Sequence, residues 1–280
     1  MEYYGALQDK KDDNDYIYGN VMQSIDTPTV IDYESEMSPV KNQYFWSSCV
    51  AFALCAVREL QENRQRDTDK VDLSEHFLYS LIQIYPQKGA YLRDAMKIAC
   101  KTGITMEKYM PYPHKVVEKK LKIPQSKDKL GMYSTAKRFQ AKTYIRLRTI
   151  DEMCEALVSS PFIIGLPWLS TWRNTTRLKR FNGYPVLAKV GSPISRHAVC
   201  VIGVDRANRV FKIKNSWGLG WGRQGYAYLP FEAITDFDAW QIYDKDHPLM
   251  NVPETKLSPA TATKTIRIKK KRSRTARVGK

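Results

Sequence analysis

The sequence lacks the cysteine spacings that mark a disulfide framework or a zinc site. Its five cysteines form an odd set without CxxC pairs. Four of them, Cys55, Cys100, Cys154 and Cys200, lie in apolar helical or strand-like contexts. We expect these four thiols to be buried and reduced.

Features of secretion and of membrane insertion are also lacking. The first residues contain neither the basic nor the apolar region of a secretory signal, and no apolar run is long enough to span a bilayer. We therefore predict an intracellular, reducing location in the cytoplasm, the nucleus or a virion. Secretion and a membrane partner are not expected.

Histidine is scarce, with four residues in the chain. His76, His114 and His247 share no metal-ligand spacing with one another or with any cysteine. We expect surface or structural roles for these three side chains. The sequence thus predicts no metal site and no cofactor.

Apolar residues are present in the proportion typical of a folded protein. A chain of 280 residues with 43% hydrophobic content can bury one large core or two moderate ones. We expect a globular protein, and we find no internal repeat that would indicate a solenoid.

Cys49 precedes an apolar segment, residues 50–60, that contains neither Gly nor Pro. Such a segment predicts a buried helix that begins at Cys49, with Ser48 as its N-cap. A thiol at a helix N-terminus feels the positive end of the backbone dipole, which favours the reactive thiolate. The alternative is an inert buried thiol, which is what most free cysteines are.

His197 and Asn215 lie far downstream in strand-like sequence. His197 begins a β-branched run that is typical of a core strand, and Asn215 ends an alternating strand that starts at Val210. An amide that binds one imidazole nitrogen fixes the tautomer and leaves the other nitrogen to face a thiol. The three residues together indicate a thiol nucleophile, a base and an orienting group.

These segments resemble the papain-like (C1 family) cysteine peptidases. The resemblance extends from about Val30 to Tyr243 and suggests an intracellular or virus-type member without a propeptide. The matching segments are Pro39–Gln43, with Cys49 six residues after Gln43, then Ala51–Ala53, His197–Val199, and Lys214–Gly222 followed by Gly225 and Tyr226.

The resemblance implies a role for each active-site residue. Cys49 is the nucleophile, and His197 is the general base and later the acid. Asn215 orients the imidazole, and Trp217 packs over that bond and borders the substrate. The Gln43 side chain and the Cys49 N–H form the oxyanion hole, where one donor contributes on the order of 3 kcal/mol. The implied reaction is acyl transfer through a thioester to water.

The resemblance also implies an α+β fold with two lobes, one helical and one an antiparallel, β-barrel-like lobe. The active site is expected in the cleft between them. The predicted divisions are a polar N-terminal extension 1–25, a helical lobe 26–132 with the nucleophile, a β-rich lobe 133–250 with His and Asn, and a basic flexible C-terminal tail 251–280.

Local signals predict several further elements within these lobes. One helix is expected near Leu73–Leu78 with Ser74 as N-cap, and another over Tyr91–Lys101 that ends at Gly103. A third helix is expected at Asp151–Leu157, and a strand at Pro161–Pro167.

The chain departs from the family pattern at several positions. Trp46 stands where secreted members carry a half-cystine, and Val50 replaces the Trp that follows the nucleophile. The wall that pairs with substrate backbone is expected at Gly89 and Ala90, where the family prefers two glycines. Arg196 precedes the histidine, and we expect it to point to solvent because strand side chains alternate faces.

The N-terminal extension, residues 1–25, is polar and rich in Asp. Related secreted peptidases carry a long inhibitory propeptide, and this extension is too short to be one. The comparison predicts that activity is regulated in some other way.

The C-terminal region turns to Thr, Pro, Ala and Lys from Pro253 onward, and no acidic residue follows Glu254. With a net charge of +16, it predicts a flexible arm that binds nucleic acid or another polyanion. A solubilising tail, a transport signal or an inhibitor that folds into the cleft are the alternatives. The candidate nucleic-acid-binding residues are Lys269, Lys270, Lys271, Arg272, Arg274 and Arg277.

Two functions follow from these observations. The first is a cysteine endopeptidase that acts on protein or peptide substrates and is tethered by its tail to nucleic acid or to a viral assembly. The second is a nucleic-acid-associated structural or interaction protein with an inactive or dispensable peptidase fold. Retention of Gln43, Cys49, His197 and Asn215 favours the first.

Overall fold

The computed structural model describes residues 5–22, 25–67, 70–86, 88–113, 123 and 129–244. Its helices are α1 Tyr18–Val21, α2 Cys49–Arg66, α3 Glu75–Ile82, α4 Leu92–Lys101, α5 Lys129–Lys137 and α6 Ile150–Ala156. Its strands are β1 Ala6–Leu7, β2 Val30–Asp32, β3 Ala90–Tyr91, β4 Thr143–Leu147, β5 Phe162–Leu169, β6 Arg180–Phe181, β7 Tyr184–Pro185, β8 Pro193–Asp205, β9 Val210–Lys214, β10 Tyr226–Pro230 and β11 Asp238–Tyr243.

Helix α2 is the centre of the helical lobe. Its residues are buried from Cys49 to Asn63, which confirms the helix expected from the uninterrupted apolar sequence. Ser48 holds the N-cap position, but its side chain caps no backbone N–H. Its hydroxyl instead lies 2.6 Å from the Tyr112 hydroxyl, so Ser48 is the predicted N-cap residue but does not cap with its side chain.

Helices α3 and α4 pack beside α2. Helix α3 begins after the predicted N-cap, Ser74, and α4 ends before the predicted glycine, Gly103. The Ser74 hydroxyl accepts the Phe77 N–H at 3.0 Å and so caps α3. Helix α4 stops just before Gly103, which adopts a positive φ of 80°. Glycine reaches that conformation without a Cβ penalty, so it ends the helix.

The second lobe is built on an antiparallel sheet in the order β10-β9-β8-β5-β11-β4, with β2 paired to β8. The long strand β8 pairs with β5 over most of its length and also packs against α2. Together with the helical lobe, this sheet confirms the α+β fold class. The contact between α2 and β8 brings the two lobes together.

Within β8, the register shifts between Val201 and Gly203. A Cβ on Gly203 would lie 2.4 Å from the carbonyl oxygen of Ile31, so only glycine allows β2 to approach this closely. No helix in the described part of the chain is long and apolar enough to cross a bilayer.

Candidate active site

Cys49 is the first residue of α2, and its sulfur faces strand β8. The Ala198 backbone N–H donates to Sγ at 3.4 Å, which joins residues separated by 149 positions in the sequence. The Val50 N–H, at the same helix end, also favours the thiolate, as the positive end of a helix dipole does. The fold therefore places the thiol at a positive helix end beside the strand that carries His197.

His197 lies on β8 immediately before Ala198 and is fully buried. Its Nε2 lies 2.8 Å from Oδ1 of Asn215, which follows β9. Since an amide oxygen only accepts, Nε2 carries the proton in this bond and Nδ1 is the basic nitrogen. Asn215 Oδ1 also accepts the Ser216 N–H at 2.8 Å, which fixes the amide orientation.

Tryptophan rings enclose this imidazole. The Trp168 and Trp217 ring centroids each lie 4.7 Å from the His197 ring. They exclude water from the histidine–asparagine bond, which strengthens it electrostatically. Trp168 was not singled out from the sequence. The sequence signal that could have indicated its role is its position two residues after Leu166 on β5, because Leu166 pairs with His197.

Gln43 lies in the loop that precedes α2 and is fully buried. Its Nε2 donates to the Trp46 carbonyl at 2.6 Å, and its Oε1 accepts from the Ser216 hydroxyl at 2.6 Å. The Gln43 N–H also donates to the Ser216 carbonyl at 2.8 Å. Ser216 thus ties Gln43 to the residue that orients His197, a role that the sequence did not indicate.

A buried charged cluster lies behind the thiol helix. Lys41 Nζ lies 2.8 Å from a carboxylate oxygen of both Glu59 on α2 and Glu75 on α3. Lys214 at the end of β9 donates to the Ser38 carbonyl at 2.6 Å, and Ser38 donates to Glu59. The cluster joins α2, α3 and β9, so it fixes the elements that carry Cys49 and Asn215.

The N-terminal segment, residues 5–16, lies across this site, and we call it the strap. Gly5 accepts the Ala90 N–H at 2.7 Å, and β1 pairs in parallel with β3. The Gly5 backbone amide also lies close enough to the Cys49 thiol to oppose the rise in its pKa. A short segment is therefore enough to cover the thiol and to occupy the wall formed by Gly89 and Ala90.

Close packing holds the strap against the site. A Cβ on Gly5 would lie only 2.0 Å from the Ser47 carbonyl oxygen. The Ala6 side chain lies against Gly165 and beside Leu92. Cys49 is consequently 0% exposed in this conformation.

Burial sets the protonation of both reactive groups in this covered state. It raises the pKa of the Cys49 thiol to about 11, although the N–H groups of Ala198 and Gly5 oppose the shift. It lowers the pKa of His197 to about 4, although the bond to Asn215 opposes that shift. Both groups are therefore neutral near pH 7 while the strap is in place.

Arg196 does not point to solvent, which corrects the expectation from strand alternation. Its side chain is 17% exposed, and its guanidinium lies 2.8 Å from Asp236 and 3.1 Å from Asp238. Alternation turns Arg196 away from the face of His197, but two carboxylates on that side bind it. Their charges neutralise the cation beside the histidine.

The remaining sequence candidates lie in several places. The Trp46 indole donates to the Pro113 carbonyl at 3.1 Å, and His76 contacts the Pro111 carbonyl at 2.9 Å. Cys55, Cys154 and Cys200 are buried free thiols, whereas Cys100 is only partly buried. His114, His247 and the basic residues from Lys269 to Arg277 lie outside the described residues.

Most of the chain matches a known protein family. The model of the Papain family cysteine protease matches residues 23–233. An uncharacterised peptidase C1-like protein of Acanthamoeba polyphaga mimivirus is 28% identical over 73% of this chain and 69% of its own length. Peptidase 1 of Psoroptes ovis is 26% identical over 74% of this chain and 62% of its own length.

Solved structures share the fold. Xylellain, a cysteine protease from Xylella fastidiosa, superposes with a TM-score of 0.69 at 23% identity, over 86% of this chain and 96% of that chain. Bromelain from Ananas comosus in complex with the E64 inhibitor gives 0.59 at 22% identity, over 78% of this chain and 100% of that chain. At such identities the likeness establishes the fold alone.

Proposed function

Because the chain belongs to the papain family of cysteine proteases, we propose that it hydrolyses peptide bonds through a thioester formed on Cys49. The main support is the 2.8 Å bond between His197 Nε2 and Asn215 Oδ1. This bond lies near the Cys49 thiol at the N-terminus of α2. Asn215 holds the imidazole so that Nδ1 is the nitrogen left to take the thiol proton.

In the proposed first step, the Cys49 sulfur attacks the scissile carbonyl carbon while its proton passes to His197 Nδ1. The sulfur–carbon bond forms, the carbon–nitrogen bond breaks, and the imidazolium returns its proton to the leaving amine. Water then attacks the thioester and gives a proton to His197. The products are a carboxylic acid and the restored thiol.

We propose that Gln43 Nε2 and the Cys49 N–H stabilise the oxyanion that develops during both attacks. The bond from the Ser216 hydroxyl to Gln43 Oε1 supports this role because it fixes the plane of the amide. Removing one such donor costs about 3 kcal/mol of transition-state stabilisation.

We propose extended protein or peptide substrates and endopeptidase action. The support is the pairing of the strap backbone with β3, because a substrate backbone could bind Gly89 and Ala90 in the place of the strap. Trp217 borders the same site. Hydrolysis therefore requires that the strap first leaves the thiol.

Peptide-library hydrolysis tests the proposed activity. The full-length protein is expected to cleave a defined subset of peptides at pH 7, and Cys49→Ala is expected to lower the rate at least 10⁴-fold, as nucleophile removal generally does. Equal cleavage by both proteins would assign the activity to a contaminant. Absence of cleavage by both would favour a structural or interaction protein with an inactive peptidase fold.

We further propose that the C-terminal tail tethers the protein to nucleic acid in an intracellular or virion setting. Ten Lys and Arg residues and no Asp or Glu occur in residues 255–280, and a relative of this chain is encoded by a mimivirus. Polyanion binding by such a segment is independent of sequence and sensitive to salt.

Deleting residues 256–280 tests the tether. We expect the truncated protein to lose most of its salt-sensitive DNA and RNA binding, at least tenfold in Kd at 100 mM salt, and to keep its rate of peptide hydrolysis. The measurement is a nucleic-acid titration at several salt concentrations. Unchanged binding after the deletion would eliminate the tail as the tether.

A further inference from the structure

The strap is fastened beyond the thiol by the carboxyl group of Asp9. One Asp9 oxygen accepts the Trp240 indole N–H at 2.7 Å, and both oxygens lie 3.3 Å from the Arg93 backbone N–H. The Asp9 N–H in turn donates to Asp238 at 3.0 Å. Asp9 is thus a buried anchor four residues from the glycine that covers Cys49.

A second anchor lies further along the strap. The Arg93 guanidinium binds both carboxylate oxygens of Asp15, at 2.8 and 2.6 Å, and also the Lys10 carbonyl at 2.6 Å. Arg146 lies 3.2 Å from the same carboxylate and donates its backbone N–H to Tyr16. This anchor is an ion pair that ties the strap to α4 independently of the Asp9 carboxyl group.

We propose that Asp9 is a pH-dependent lock, which holds the strap over Cys49 at acidic pH and lets it leave as the pH rises towards neutrality. The reason is the position of the carboxyl group, which is buried against an indole beside another buried carboxyl group, Asp238. The lock controls access to the Cys49 thiol, which can be measured without peptide hydrolysis. It rests on the proposed function only where the rate of hydrolysis is measured.

The charged groups around Asp9 come from four elements. Helix α4 contributes Arg93, strand β11 contributes Asp238, β4 contributes Arg146, and β8 contributes Arg196. Arg146 and Arg196 bind Asp238 directly, at 2.8 and 3.1 Å, and Arg93 binds Asp15. The Asp9 carboxyl group itself accepts from the Arg93 backbone N–H and from the Trp240 indole, and no guanidinium among the described residues binds it.

The sign of the pH dependence follows from the pKa of Asp9 in the closed state. Burial raises it from an ordinary 3.8 to about 6; the Trp240 bond opposes the shift, and the Asp238 charge adds to it. A group with a raised pKa takes up a proton when the strap closes. Closure is therefore fully favoured below pH 4 and weakens as the pH rises through 6.

The size of the effect follows from the same linkage. A difference of about two pKa units changes the ratio of open to closed strap by up to about 100-fold between pH 4 and pH 7. The pKa of Asp238 is also raised, chiefly by burial, but its bond from the Asp9 N–H opposes that shift, so the pH dependence is assigned to Asp9 alone. Opening frees the Ala90 N–H for a substrate backbone and exposes the sulfur.

Alkylation of Cys49 by iodoacetamide, followed by mass spectrometry from pH 4 to pH 8, tests the lock in the full-length protein. Asp9→Asn keeps the shape and the oxygen that accepts from Trp240 but cannot titrate. Dividing the wild-type rate by the variant rate at each pH cancels the titration of the thiol itself. We expect this ratio to increase between 10- and 100-fold from pH 4 to pH 7.

Asp13→Asn is the matched control, because Asp13 is an exposed strap carboxylate whose ion pair with Lys11 is solvated. This variant is expected to keep the wild-type profile. If the ratio of the wild-type alkylation rate to the Asp9→Asn rate stays flat, or falls as the pH rises, the lock is overturned. A rising ratio in a protein that cleaves no peptide would support the lock and reject the proposed peptidase.

Hydrogen exchange of the wild type provides a second measurement that needs no variant. After correction for intrinsic exchange rates, amides of residues 6–9 are expected to lose protection between pH 4 and pH 7, while β8 keeps its protection. Constant protection of the strap over this range would also overturn the proposal.

Discussion

At the scale of single residues, Cys49, His197, Asn215 and Gln43 stand out in the sequence because thiol acyl transfer requires these residue types. Ser216 and Asp9 could not be singled out in the same way. Their importance depends on contacts across 173 and 231 positions, which no local pattern encodes. Arg196 shows the same limit: alternation sets the face of a strand side chain, not its partners.

Ser216→Ala tests the support of Gln43. Loss of the hydroxyl removes the 2.6 Å donor to Gln43 Oε1 and so weakens the hold on the amide plane, although Nε2 keeps its bond to the Trp46 carbonyl. A neutral hydrogen bond contributes about 1 kcal/mol, and we therefore expect kcat/KM for a peptide to fall about fivefold. The measurement is steady-state kinetics at pH 7.

Ser134→Ala is the matched control for this experiment, because the Ser134 hydroxyl is exposed and donates to the Gly131 carbonyl within α5. It is expected to leave kcat/KM unchanged. An equal rate for Ser216→Ala and the wild type would show that Gln43 needs no such support.

At the scale of elements, helices α2, α3 and α4 and strands β5, β8 and β9 were predictable because their apolar patterns and caps are local. The two-residue strands β1 and β3 were not, since each exists only through pairing with a distant partner. For the same reason, the sequence did not indicate that the short N-terminal extension covers Cys49. Gly5 packs against the Ser47 carbonyl, a contact that exists only in the folded chain.

Gly5→Ala tests the closeness of that fit at constant pH. The added Cβ would lie 2.0 Å from the Ser47 carbonyl oxygen, so the strap must shift away from the thiol. Overpacking of this kind costs about 1–3 kcal/mol, and we expect Cys49 alkylation at pH 6 to accelerate about tenfold or more.

Gly131→Ala is a suitable control, since a Cβ on that helical glycine meets no atom within 4 Å. Its alkylation rate should equal that of the wild type. If Gly5→Ala leaves the rate unchanged as well, the strap does not limit access to Cys49.

At the scale of the whole molecule, the protein joins a helical lobe to an antiparallel sheet through the contact of α2 with β8. The order of nucleophile, histidine and asparagine along the chain was enough to predict this architecture, because it matches a known family. The buried cluster of Lys41, Glu59, Glu75 and Lys214 was not predicted. Its members come from separate elements that meet only when both lobes are folded.

All of the proposed chemistry depends on Cys49 and His197 forming a reactive pair once the strap is displaced. The most direct test is treatment of Gly5→Ala with the epoxide inhibitor E64 at pH 7, followed by mass spectrometry of all five cysteine positions. We expect one adduct per chain, on Cys49, and no adduct when His197→Ala is added. Equal modification of several cysteines, or no adduct on Cys49 with the strap displaced, would contradict it.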